Sequence, residues 1–151
     1  HTDENGTEIS AHEIWTLFQN TYVDVKNSHY QTKHYQLSDI NGTQIIELDI
    51  EIDGEVQRLR GEGNGPITAM LNALQLPIDV VNYEERSISS GANAKALALI
   101  ELQVKGTGKN AFGAGIHDNI VTSSIEAIIA CTNRLIEQGV LTTEQVAAAA
   151  V

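Results

Sequence analysis

Two glycine-rich stretches, Gly61-Glu62-Gly63-Asn64-Gly65-Pro66 and Gly113-Ala114-Gly115-Ile116-His117-Asp118, each stand between an apolar strand-like run and an amphipathic helical pattern. The same order of elements, met twice along one chain, predicts a duplicated unit of strands followed by a helix. A glycine-hinged helix start leaves backbone N–H groups unpaired at the positive end of the helix dipole. That suits an anion such as the carboxylate of a small ligand. Glycines there also let a helix pack close against a strand. Spacing alone leaves both readings open.

The rest of the pattern fills in around these stretches. Ser10 and Glu13 form a capping box ahead of Ile14, Leu17, Phe18 and Tyr22 on one helical face, widened by Trp15. Residues 23–29 are mixed and polar, as in a linker. Residues 30–37 can form a strand. Ile46, Leu48, Ile50 and Ile52 then alternate with Glu47, Asp49, Glu51 and Asp53, the period of a sheet with one wet face. Asp53-Gly54 marks a hairpin turn, and Glu55 to Arg60 returns as the partner strand. Pro66 suits the first helical position, and Ile67, Met70, Leu71 and Leu74 give the helix its stripe.

The second copy runs in the same order. Asp79 to Ile88 reads as a strand, Ser89 to Asn93 as a turn, and Ala96 to Val104 as an alternating strand. A turn at Gly106 to Asn110 and a short strand reaching Gly113 follow. The last helix begins near Asp118 or Asn119, with Ile120, Ile125, Ile128, Thr132, Leu135 and Ile136 facing one way and Gly139 as its C′ residue. The expected fold is α+β: two pseudo-symmetric βββα units in a sheet–helix sandwich, preceded by a linker helix. Residues 1–27 are the end of a linker subdomain with one helix over about 10–22. Residues 28–139 are the main domain, and 140–151 an Ala-rich tail suited to a short helix.

Composition narrows the partners. A net charge of −11 steers the chain away from nucleic acid and anionic membranes. The lone Cys131, in a helical pattern, fits a core residue in a reducing, cytoplasmic setting. There is no signal peptide or membrane-length apolar run. With no initiator Met and a polar opening, His1 to Thr7, the chain reads as a piece of something longer.

Motifs for chemistry fail one by one. His12-Glu13 lacks the second His of a zinc protease, and His29 and His34 have no Cys partners. Gly106-Thr107-Gly108-Lys109 lacks the spacing and the Ser or Thr of a phosphate loop, and it falls between strands. Gly61 and Gly63 begin a dinucleotide fingerprint that Pro66 breaks. Asn5-Gly6-Thr7 and Asn41-Gly42-Thr43 match a glycosylation triplet but are first of all turn signals. No nucleophile with a base and no carboxylate pair is evident, so no catalytic residue, metal site or cofactor is expected in this chain.

Three segments carry a resemblance. Gly61 to Ala69, then Tyr83-Glu84-Glu85-Arg86-Ser87-Ile88-Ser89-Ser90-Gly91-Ala92-Asn93-Ala94, then Gly113 to Ile116 together with Asn133-Arg134-Leu135, resemble the C-terminal regulatory domain of 2-isopropylmalate synthases. The resemblance covers roughly residues 28 to 138. It implies a domain that dimerises and binds L-leucine as feedback inhibitor of the first committed step of leucine biosynthesis. In that family a metal-dependent TIM barrel condenses acetyl-CoA with 2-oxoisovalerate; its divalent metal and acetyl-CoA sites lie outside this sequence. Carried over by motif, the effector pocket would use Gly63, Asn64, Gly65, Ile67 and Thr68, with Val80, Tyr83, Ser87, Ala94, Ala96 and Ile120. Small residues at Ser87, Ala94 and Ala96 leave room for an isobutyl group, and Ile67, Val80 and Ile120 offer it apolar surface. The ligand carboxylate would sit on the helix start after Gly65, and backbone carbonyls near the 89–93 turn would accept from its ammonium. The chain has Asn93 where that family often has Asp, and Thr68 where a smaller residue is common. The isoleucine-sensing domain of citramalate synthase and an effector-free dimerisation module are the alternatives.

Overall fold

A computed structural model describes residues 29–90 and 93–142. Three strands, β1 (Tyr30–Ile40), β2 (Thr43–Ile52) and β3 (Glu55–Gly63), lead into helix α1 (Pro66–Leu74). Three more, β4 (Ile78–Ser90), β5 (Asn93–Val104) and β6 (Asn110–His117), lead into α2 (Ile120–Glu137). Each triplet is an antiparallel meander in the order of the sequence, β1-β2-β3 and β4-β5-β6. The duplicated βββα architecture expected from the sequence is therefore present. The helix expected over 10–22 and most of the tail lie outside the described residues.

Local chemistry explains the turns. Asn41-Gly42 and Asp53-Gly54 carry positive φ at both positions, the geometry that two-residue hairpins require. Helix α2 ends at Gln138, and Gly139 takes φ 74, as a C′ glycine should. The chain then folds back, and Leu141 is buried.

In the first sheet the alternation works as read. Ile46, Leu48, Ile50 and Ile52 are buried, while the opposite face carries His34, Asp49 and Arg58 in a charged cluster. In the second sheet Ala98, Ile100, Leu102 and Val104 are buried on the helix side. Most buried side chains of both sheets and both helices form one continuous core, and Leu97 and Ala114 of the second sheet form a separate small cluster with Ile88, Leu99 and Ile116.

The glycine stretches correct one expectation. Gly61, Gly63, Gly113 and Gly115 lie in strands, and only Gly65 stands at a helix start. β3 runs through Gly63, and β6 continues past Gly113 to His117. Both rows lie under a helix. A Cβ on Gly61 would collide with the Ala69 carbonyl oxygen and the Ala73 backbone, and one on Gly113 with the Ala127 carbonyl oxygen and Cys131. Gly115 sits equally close to the Ser123 carbonyl oxygen. Close strand-to-helix packing is thus what Gly61, Gly113 and Gly115 provide.

Candidate functional site

The two helix starts are built differently. Ala69 and Ala73 lie over Gly61 as Ala127 and Cys131 lie over Gly113, so these pairs are structurally equivalent. Measured from them, α2 begins about one turn earlier than α1. That extra turn is closed. Asn119, its N-cap, accepts from the Val121 and Thr122 N–H groups at 2.8 and 3.1 Å. Thr122 Oγ1 lies 2.6 Å from the Tyr35 hydroxyl of β1. The N-cap of α1 is Gly65, in extended backbone with no side-chain cap, and Pro66 contributes no N–H. Only Ala69 N–H finds the Gly65 carbonyl, at 3.0 Å.

In front of this uncapped start lies an open cleft of about 210 Å³, lined by Gly65, Pro66, Ile67, Thr68, Tyr83, Glu85, Ile120, Val121 and Ser124. That is room for a metabolite, below the size of pockets that take drug-like molecules. One wall is α1, the other the extra turn of α2, and β4 forms the floor. Ile67, Ile120 and Val121 make it mainly apolar.

Polar groups sit along the β4 side. Tyr83 Oη lies 2.6 Å from Ser124 Oγ, and Ser124 donates to the Ile120 carbonyl at 2.9 Å. The Tyr83 hydroxyl is pushed up to about 12, chiefly by burial, with the Ser124 bond opposing and the neighbouring Glu85 carboxylate adding to it by hydrogen bond and by charge. Tyr83 is therefore neutral at physiological pH.

The structure brings Gly65, Ile67, Thr68, Tyr83 and Ile120 together around one cleft. Gly63 and Asn64 lead into it. Gly63 is packed beneath α1, where a Cβ would stand 2.7 Å from the Ala69 nitrogen. The other expected positions lie off the lining. Val80 pairs with Leu102 ahead of the bulge in β4; Ser87 pairs with Ala96, and Ser89 with Ala94, farther along the hairpin than Tyr83. The sequence reading missed Pro66, Glu85, Val121 and Ser124. Glu85 follows Tyr83 by two residues on a strand, and Ser124 follows Ile120 by four on a helix, so each shares a face with a residue already chosen. Among the described residues, no group of three or more His, Cys, Asp or Glu is placed to hold a metal, and no helix is long and apolar enough to cross a membrane.

Fold and cleft together define a duplicated βββα domain in which, among the described residues, the helix start of the first repeat alone is uncapped and faces the second repeat. The chain belongs to the LeuA allosteric (dimerisation) domain family, which matches residues 8–136. It is 44% identical over 137 residues to a 2-isopropylmalate synthase of Azoarcus sp. (strain BH72), an alignment covering 91% of this chain and 24% of that protein. It is similar, too, to the 2-isopropylmalate synthases of Paraburkholderia phytofirmans, 40% over 133 residues with 88% and 23% covered, and Agrobacterium fabrum, 39% over 144 residues with 91% and 25% covered. The chain spans about a quarter of the length of these relatives.

Proposed function

We propose that this chain regulates a 2-isopropylmalate synthase by binding L-leucine in the cleft between α1 and α2, and that it does so as a homodimer in the cytoplasm. The observation that carries this reading is the uncapped start of α1 opening onto an apolar cleft of metabolite size. Free N–H groups at a helix start favour a carboxylate. Ile67, Ile120 and Val121 favour a branched aliphatic side chain. The similarity to 2-isopropylmalate synthases favours leucine over isoleucine as effector. Condensation of acetyl-CoA with 2-oxoisovalerate, with its divalent metal, belongs in this reading to a catalytic TIM barrel in the portion of the synthase beyond the stretch aligned here.

The test is a thermal shift and calorimetric titration with L-leucine and L-isoleucine, with the mass in solution measured alongside. A native-state ligand at a hundred times its Kd stabilises by about 2.7 kcal/mol. Leucine should raise the melting temperature and bind more tightly than isoleucine, at twice the chain mass. Tighter isoleucine binding would instead indicate a citramalate synthase type of regulation. No shift at millimolar leucine would leave an effector-free dimerisation module.

A further inference from the structure

Glu85 is the one ionisable carboxylate in the lining of the cleft. Its neighbours in sequence point the other way: Glu84 is paired with Arg86 on the opposite face of β4. None of the ion pairs among the described residues includes Glu85. Its carboxylate stands instead beside the Tyr83 hydroxyl, whose pKa it raises by hydrogen bond and by charge. An exposed acid with no cation beside it, at the edge of an apolar cleft, is placed to pair with a cation carried by a ligand.

We propose that Glu85 binds the ammonium group of the effector and so makes the cleft selective for α-amino acids over the corresponding α-hydroxy and α-oxo acids. This rests on the reading of the cleft as an amino-acid site. The α1 start and Glu85 lie in the lining of the same cleft, one a hydrogen-bond donor array and the other an acceptor. A zwitterion presents the complementary pair. A hydroxy or oxo acid of the same shape keeps the carboxylate and the side chain but offers the exposed Glu85 carboxylate no cation to pair with. Discrimination then comes from the ion pair that only the amino acid makes, rather than from a clash. Such a filter separates the amino acid from deaminated molecules of the same carbon skeleton, which differ from it only at this one atom. It also assigns the ammonium to a side chain of β4 instead of the backbone carbonyls of the 89–93 turn.

The experiment is calorimetry of the unsubstituted domain and Glu85→Gln with L-leucine and with 2-hydroxy-4-methylpentanoate, each variant checked for an unchanged melting temperature without ligand. The unsubstituted domain should prefer leucine by about tenfold or more, and E85Q should lose that preference through weaker leucine binding, by about tenfold or more, with the hydroxy acid bound at least as well as before. Glu85→Asp, which keeps the charge, should recover part of the preference. E85Q binding leucine within about twofold of the unsubstituted domain, well under the tenfold that one hydrogen bond to a charge gives, overturns the proposal. So does E85Q that binds neither ligand, or an unsubstituted domain that does not distinguish the two. Absence of leucine binding by the unsubstituted domain is a different result, and it removes the amino-acid site itself.

Discussion

The side chain of Asn133 completes a two-bond ring with the backbone of Tyr30: Oδ1 accepts from the Tyr30 N–H at 2.8 Å and Nδ2 donates to the Tyr30 carbonyl at 3.0 Å. The second helix thereby holds the first residue of the first strand. Both residues are buried. Asn133→Ala should leave two buried backbone groups unpaired and destabilise the domain by about 2–5 kcal/mol in a urea titration. A loss below about 0.5 kcal/mol would mean water replaces the amide.

The strand glycines should behave oppositely to the glycine at the helix start. Gly61→Ala or Gly113→Ala puts a methyl into the backbone of the helix above, and should cost about 3 kcal/mol or more. Gly65 has open space where its Cβ would go and no left-handed backbone, so Gly65→Ala should cost no more than the about 1 kcal/mol by which alanine is a poorer N-cap.

Gly65 offers a sharper test of the cleft. Gly65→Asp supplies α1 with the cap that Asn119 gives α2, a carboxylate at the helix start. The variant should be as stable as the unsubstituted domain without ligand, or more so, by a few tenths of a kcal/mol. Its own carboxylate occupies the place proposed for that of leucine. Leucine should therefore no longer raise its melting temperature; an undiminished shift would put the ligand carboxylate elsewhere.

Alkaline pH should unfold the domain. Burial holds the Cys131 thiol at about 12 against an ordinary 9.0, and burial together with the Asp53 charge holds the Tyr30 hydroxyl at about 12 against 10.0. In the native state both stay protonated. The unfolded chain releases these protons first, so stability is complete below about pH 9 and falls as pH rises toward 12. Urea midpoints measured across that range should decline, and Tyr30→Phe should remove part of the decline. At pH 8 a thiol reagent should reach Cys131, which donates to the Ala111 carbonyl at 3.1 Å, only as fast as the domain opens.

The period-two run from Ile46 to Asp53 and the Asn-Gly and Asp-Gly pairs made the first meander legible, because pleat and turn chemistry are local. The role of Gly61 and Gly113 was not local. A glycine before a helix looks the same in sequence whether it frees a turn or admits a helix backbone above it, and only the packing of Ala69 and Ala127 distinguishes the two. The cleft was half legible for a similar reason. Gly65, Ile67, Thr68, Tyr83 and Ile120 came from motif resemblance, but which residues share a space depends on how far along β4 the helices reach. That distance placed Glu85 in the lining and Ser87 outside it.

Helix α2 runs unbroken for 18 residues. Its first turn walls the cleft and meets Tyr35 of one sheet and Tyr83 of the other. At its far end Asn133 grips Tyr30, and Glu137 lies 3.6 Å from His29, where the preceding chain joins the domain. The cleft and that junction are opposite ends of a single strut about 27 Å long, with no joint between them.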